Sequence, residues 1–475
     1  MRKILGISGA VGGNGSRSIP PEELIGRITA FFWLAVLALA TTGGYVREPI
    51  TGLHLLKVLI LLSIPVALAG WLLVWRHENR TPLKGLWWLG AWMAMAVAGI
   101  IWAPDKNVAV TYVVYMVVRL GLIVFTAILI VFQRDGRFTT ALSYLGMLVV
   151  AVNVGIAVWE HFTRSHFHLS GTLVMASHKQ GWPSGFMAHP NDLCLLLALY
   201  LPFITVWPRR HRTAAKEALA ISAIVAVIWV ATVAQSRTLV VLLLGQLLWL
   251  VTRGMRNKVM AAAGALIVLV LLIPFLHDQW PYYVIEPAAA GPASLVENPA
   301  PVATPEVRRA RTLREVVQAV GTEFSFEGRS GSERRHLLQI GGRLLVESRG
   351  LGVGPGNSAL LIRQVKSEGR TDLHNWWMEV LVDYGVAGFL AFTGFYVWLL
   401  GSVLSRWRSL PDGQERYLAE VALISLATFG LGSIVPSSIA PHTYPWMLFG
   451  LALALVSAPG SKTFQGRRRD REAPQ

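Results

Sequence analysis

Apolar runs long enough to cross a bilayer follow one another along most of the chain, separated by short polar connections and interrupted once by a long polar interval at 277–373. The runs lie at about 26–46, 54–75, 86–103, 109–132, 139–159, 191–207, 217–234, 238–252, 258–276, 374–400, 418–435 and 443–458. An apolar helix of roughly 20 residues spans the hydrocarbon layer. The pattern therefore predicts an all-α polytopic membrane protein of about 12 transmembrane helices, with a large external loop between the ninth and the tenth. The stretch 238–252 is the shortest and borrows residues from its flanks. Inside the long interval, residues 286–305 are rich in Pro and Ala and read as an irregular linker. Residues 306–320 place Val307, Ala310, Leu313, Val317 and Val320 at helical spacing, which fits an amphipathic helix lying on the outer membrane surface. Residues 331–348 read as a second helix, and Gly350–Asn357 as a tight glycine turn without the Lys-Ser/Thr of a nucleotide-binding loop.

Composition agrees with the pattern: 53% of residues are hydrophobic and 15% charged, whereas soluble domains carry about 25% charged residues. The net charge of +16 is first a matter of topology. The clusters Arg76/Arg80/Lys84, Arg209/Arg210/Arg212/Lys216, Arg253/Arg256/Lys258 and Arg467/Arg468/Arg469/Arg471 all fall on one side if the N-terminus is cytoplasmic. That is the positive-inside pattern, and it needs no nucleic-acid partner. The expected division is a cytoplasmic tail at 1–25, helices one to nine over 26–276, an extracytoplasmic loop at 277–373, helices ten to twelve over 374–458, and a basic cytoplasmic tail at 459–475. Residues 1–23 lack the apolar core and cleavage site of a signal peptide, so the first helix is expected to serve as an uncleaved anchor. The single cysteine, Cys194, sits in an apolar run and reads as a small hydrophobe.

Polar residues at the membrane boundary carry the candidate chemistry. His374 stands where the charged loop re-enters the membrane, followed by Asn375, Glu379 and Asp383 at a spacing that puts those three on one helical face. A histidine there is a helix cap, an interface residue, or a general base that takes a proton from a hydroxyl near neutral pH. Glu379 and Asp383 lie deeper, where they position the helix or pair with a buried cation such as Arg119. Arg119 in turn pairs with a carboxylate or forms a pocket for a lipid phosphate. Arg237 tips a tight hairpin between two apolar runs, either snorkelling to head groups or hooking a phosphate. Arg329, Arg334 and Arg335 crowd the second loop helix. Trp376 and Trp377 are expected as interface anchors, with a sugar-stacking wall as the alternative. The loop 160–190 holds His161, His166, His168, His178 and His189, at spacings that match no common zinc pattern, so it reads as a polar loop. The chain contains no Asp-X-Asp, the usual metal-diphosphate clamp of nucleotide-sugar transferases, so arginines would have to neutralise a leaving diphosphate. No metal site and no cofactor are expected.

These residues resemble the O-antigen ligase/polymerase superfamily of membrane glycosyltransferases, which is GT-C-like. The resemblance rests on His374-Asn375…Glu379…Asp383-Tyr384-Gly385…Gly388, on Ser236-Arg237 after an apolar helix, on Ser332-Glu333-Arg334 followed by Gly352-Val353-Gly354-Pro355-Gly356-Asn357, and on Phe186…Pro190-Asn191. It covers about residues 185–400, and the N-terminal third only as topology. It implies a donor glycan on undecaprenyl diphosphate, transferred to an acceptor hydroxyl at the outer face of a bacterial cytoplasmic membrane. It implies His374 as the general base and Arg237 and Arg334 as diphosphate binders. The superfamily often has an aromatic residue four positions after this arginine, whereas Arg334 is followed by Leu338, which leaves Arg334, Arg335 and Arg329 in competition. The His-Asn-Trp-Trp variant is most similar to the branch linked to teichuronic-acid-type polymerisation in Gram-positive bacteria, which favours polymerase over ligase. The competing class is a transporter or flippase of lipid-linked oligosaccharide. Such proteins often show two similar halves, which this chain does not.

Overall fold

The computed structural model describes residues 85–132, 136–167, 181–187, 189–207, 213–234, 236–253, 329–365, 372–434, 438 and 442–457, with positions 28, 31, 34–36, 38, 59, 62 and 65 of the N-terminal part. The regular elements among them are helices: α1 (Leu86–Gly99), α2 (Lys106–Phe132), α3 (Gly136–Thr163), α4 (Pro190–Tyr200), α5 (Pro202–Thr205), α6 (Ala214–Val233), α7 (Arg237–Arg253), α8 (Arg329–Glu347), α9 (Asn357–Val365), α10 (Trp376–Ser409), α11 (Gln414–Gly432) and α12 (Tyr444–Ser457). Segments Lys106–Ile128, Phe138–Thr163, Ala214–Val233 and Trp376–Ser409 are long and apolar enough to cross a membrane, and α1, α4–α5 and α12 are shorter apolar helices. The chain is an α-helical membrane protein. The expected runs at 258–276 and 306–320 lie outside the described residues.

Close helix contacts rest on small residues, as in lipid, where packing rather than a hydrophobic drive joins helices. Gly450 of α12 meets the backbone and Thr126 of α2, and Gly394 of α10 makes room for Trp88 of α1. Between α1, α10 and α12 lies a buried aromatic cluster of Trp92, Trp376, Phe392 and Trp446, with Trp92 and Trp376 edge to face at 6.4 Å. Trp376 is thus a core residue and not the interface anchor the sequence suggested. It is the first residue of α10 on the face turned to α1, and its amide donates to the Ser433 carbonyl at the end of α11 (3.0 Å). Cys194 is fully buried, as expected of a small hydrophobe.

One long helix is broken on purpose. Within α10, Gly385 has φ 70° and ψ −179°, which interrupts the ladder and frees carbonyls and an amide inside a membrane-spanning segment. Backbone of that kind is tolerated only where protein satisfies it. Here the loop 350–356 does so. Val353 N donates to Val382 O (2.8 Å), Gly354 N to Asp383 O (3.0 Å), and Val386 N to Gly350 O (2.9 Å). The loop is pinned from its other side by Trp102, whose indole donates to Gly352 O (2.9 Å), and by Asn357, which exchanges hydrogen bonds with the Asp105 backbone. The glycine turn is therefore a plug seated in a helix break, between α10 and the α1–α2 connection. Helix α9, which follows it, was not anticipated. Its stretch Asn357–Val365 is too short and mixed to stand out from loop, and it forms on the plug through Asn357 and Ser358.

A candidate glycan-transfer site at one end of the bundle

Six connections meet at one end of the bundle. The α1–α2 connection contacts the plug through Trp102. The start of α10 contacts the end of α11 through Trp376 and Ser433. Ser438, between α11 and α12, donates to Glu379 Oε1 (2.7 Å). His442 Nε2, just ahead of α12, lies 3.5 Å from Asp192 Oδ2 at the start of α4. Ser236, in the short turn between α6 and α7, lies beside Cys194 of α4. Backbone positions 237 and 374 therefore share this end. At the opposite end charges pair with one another: Arg416 pairs with Asp412 (2.8 Å) and Arg406 approaches Glu415 (3.6 Å), while Lys216 lies over the Trp207 ring (4.5 Å).

His374 is 5% exposed and has φ 48°. A left-handed residue other than Gly costs about 1–2 kcal/mol, and such strain gathers at functional positions. The local sequence explains the turn. Leu373 is drawn into an apolar cluster with Leu337, Ile340 and Leu344 of α8, while Asn375 is extended (φ −158°) and caps α10, its Oδ1 accepting from Trp377 N (3.1 Å) and Met378 N (3.2 Å). The chain reverses between these two fixed residues, and His374 is the residue that turns. Asn375 is thus a helix cap.

Helix α8 lies beside this turn. Gly341 packs against Leu373, Met378 and Val382, so α8 runs close along the first turns of α10. Arg334, Leu337 and Gly341 share that face of α8, with Arg334 half-buried and Arg335 exposed on the outside. Arg237 is the first residue of α7, and the side chains of Arg237 and Arg329 lie outside the described set. Arg119 donates from Nη1 to Thr443 Oγ1 (2.6 Å), next to His442. Glu379 and Asp383, one turn apart, go to different partners. Asp383 is 1% exposed and accepts from Gly356 N (2.9 Å) and Ser358 N (3.0 Å), so plug amides fill the place expected for a cation. Glu379, 7% exposed, faces Ser438. Asp372 is half-buried just before the turn. Burial pushes its carboxyl above the usual range, Arg363 pulls it back and Asp192 adds to the rise.

Of the histidines in the 160–190 loop, three are described and each has a local partner. His161 bonds Gly181 O (2.9 Å) and His166 bonds Glu160 Oε1 (3.1 Å). His189 caps α4 by accepting from Asn191 N (3.1 Å). The buried Glu160 is the organiser of this loop, since its Oε2 also accepts from Ser184 N and Gly185 N. His168 and His178 lie outside the described residues. Sequence reasoning overlooked Asp192, His442, Ser438 and Glu160. Asp192 follows the noted Pro190-Asn191, and a carboxylate opening an apolar helix was a signal available there.

Residues 220–393 of this helical membrane protein match the family described as O-Antigen ligase. That segment runs from α6 into α10 and includes Arg237, Arg334, His374, Glu379 and Asp383. Over 391 residues, 81% of this chain and 72% of the relative, the sequence is 21% identical to the Teichuronic acid biosynthesis protein TuaE of Bacillus subtilis (strain 168). The chain thus resembles the O-antigen ligase/polymerase superfamily, and within it the teichuronic-acid branch.

Proposed function

We propose that this protein transfers a glycan from undecaprenyl diphosphate to an acceptor sugar hydroxyl at the outer face of the bacterial cytoplasmic membrane, building a cell-surface polysaccharide, and that it acts as a polymerase rather than a ligase. The carrying observation is the packing of Gly341 against Leu373, which sets the Arg334 face of α8 beside the turn at His374. His374 takes the proton as the acceptor oxygen attacks the anomeric carbon. The bond from that carbon to the diphosphate oxygen breaks, and the lipid diphosphate leaves. Arg237 and Arg334 hold its charge, with Arg119, Arg329 and Arg335 as further candidates, so the reaction needs no metal. Glu379 and Asp383 shape the site from α10.

The topology in this reading has about 12 spans, both termini in the cytoplasm, and residues 277–373 outside. The clusters Arg76/Arg80/Lys84, Arg209/Arg210/Arg212/Lys216 and Arg253/Arg256/Lys258, which fall on one side in this topology, support it. The relative's role in teichuronic acid biosynthesis supports the building of a cell-surface polysaccharide, and the His-Asn-Trp-Trp sequence at 374–377 supports a polymerase.

The test is transfer by the purified protein from a synthetic undecaprenyl-diphosphate repeat unit. A ladder of products marks a polymerase and a single transfer a ligase; translocation across vesicles without any transfer marks a flippase. His374→Ala is expected to stay folded and to bind the donor, with transfer lowered by about 10²–10⁴. Near-normal transfer by that variant, without added imidazole, removes His374 as the base.

A further inference from the structure

At the end of the bundle that holds His374, two buried carboxylates have unfilled acceptors. Asp192 is 4% exposed, and Glu379 is 7% exposed. Each has one oxygen engaged, Asp192 Oδ2 near His442 (3.5 Å) and Glu379 Oε1 with Ser438 (2.7 Å). The second oxygen of each, Asp192 Oδ1 and Glu379 Oε2, accepts no hydrogen bond although it is sealed from solvent by the protein. A buried carboxylate oxygen left without a donor is costly, and two at the same end of a bundle call for a ligand that donates hydrogen bonds. Asp372, two residues before His374, lies within electrostatic reach of both Asp192 and Glu379, so the three carboxylates share the end of the bundle that holds the turn. They do not converge as the ligands of one ion: among the described residues no three His, Cys, Asp or Glu side chains are grouped to hold a metal. The same loop that supplies Ser438 and His442 also meets Arg119 through Thr443, so it links the carboxylate side to a cation deeper in the bundle. Asp192 and His442 both lie outside the matched domain at 220–393.

Resting on the transfer reading above, we propose that Asp192 and Glu379 form the acceptor subsite, binding the hydroxyls of a neutral sugar at the growing or receiving end. The division of charge follows from the chemistry. The diphosphate is an anion and belongs with the arginines. An acceptor sugar is neutral, and its hydroxyl groups are the donors the two free oxygens lack. Charge-assisted hydrogen bonds from hydroxyl to carboxylate are short and strong. The Asp192 carboxylate disfavours an acceptor ending in a uronic acid, so the subsite selects against a charged sugar as well as by hydroxyl pattern. His442 and Ser438 are positioning residues, each holding one carboxylate by its other oxygen.

The test uses the purified full chain, a synthetic undecaprenyl-diphosphate disaccharide as donor, and octyl glycosides as acceptors, one ending in a hexose and one in a hexuronic acid. Asp192→Asn and Glu379→Gln keep size and shape. Each is expected to raise the KM for the octyl hexoside about ten-fold to a hundred-fold, with donor KM unchanged and melting temperature in detergent retained. The wild type is expected to prefer the hexoside, and Asp192→Asn to narrow that preference. If the amide variants alter donor KM or kcat and leave acceptor KM alone, the subsite is wrong. It is equally wrong if the wild type prefers the hexuronoside, an outcome that needs no variant to fold. A wild type that transfers to neither acceptor and yields no ladder from donor alone counts against the glycan-transfer reading itself.

Discussion

Two sets of buried carboxylates near the start of α10 are satisfied in opposite ways. On the plug side, Asp383 has both oxygens filled by backbone amides, and the freed groups around Gly385 are met by Gly350, Val353 and Gly354. Asp192 at the start of α4 and Glu379 of α10 each leave an oxygen unfilled. A filled network fixes geometry and has nothing to offer a ligand, whereas an unfilled one is maintained at a cost that binding can recover. Carboxylates one turn apart on a single helix, Glu379 and Asp383, thus belong to different tasks. The contrast predicts that damage to the filled set lowers stability first, and that damage to the unfilled set lowers acceptor use with the fold intact.

The largest effect on stability is expected at the plug. Gly352 has φ 82°, and a Cβ there would fall on the Gly385 nitrogen and within 2.9 Å of the Asp383 carbonyl oxygen. Neither neighbour is a flexible side-chain end, so the loop must leave the break and expose the helix groups it satisfies. Gly352→Ala should therefore destabilise by about 3 kcal/mol or more, the sum of the left-handed strain and the overpacking. Thermal unfolding in detergent, followed by near-ultraviolet circular dichroism of the tryptophan cluster, measures it. A melting temperature within a degree or so of wild type would show that the plug does not brace α10.

A smaller effect separates the two carboxylates directly. Asp383→Asn keeps one acceptor oxygen but turns an amide NH₂ toward a backbone donor, leaving either the Gly356 or the Ser358 N–H buried without an acceptor. The expected loss is about 1–3 kcal/mol. Glu379→Gln removes no donor's partner as long as the side-chain oxygen still faces Ser438, so its melting temperature should match wild type. Equal losses in the two variants would erase the distinction between a bracing carboxylate and a binding one.

The helices of this bundle were legible from the sequence because apolar runs of bilayer length have few alternatives. The ends of α2, α3, α6 and α7 fall within a few residues of the expected runs. His374, Arg237 and Arg334 stood out through position and motif. What stayed hidden depends on pairing between distant segments. Nothing local says that Trp376 turns inward to Trp92, that Gly385 breaks a helix so that Gly352 can enter, or that His442 finds Asp192. The spacing of Asn375, Glu379 and Asp383 predicted a shared face but not that one caps, one faces a loop and one holds a plug. The glycine-rich 350–357 was readable as a turn, yet its reason, close backbone approach to another helix, exists only in three dimensions.

The finest distinction lies between two adjacent glycines of α8. Gly341 faces α10, and a Cβ there would come within 3.0 Å of Leu373 and Met378 side-chain atoms and 3.3 Å of Val382. Gly342 points elsewhere, with nothing within 4 Å of the same atom. In the interior of a helix, Gly costs roughly 0.5–1 kcal/mol relative to Ala through backbone entropy. Gly342→Ala should recover that amount, since the added methyl meets no neighbour, and the melting temperature should rise slightly with transfer unchanged. At Gly341 the same entropic gain is opposed by crowding against Leu373, the residue that leads into His374. Leu373 and Met378 can shift at their side-chain ends, so the cost is a displaced turn rather than an unfolded helix. Gly341→Ala is therefore expected to leave stability near wild type while lowering kcat. Matched behaviour of the two alanine variants, in melting and in kcat alike, would mean that α8 does not set the position of the turn at His374.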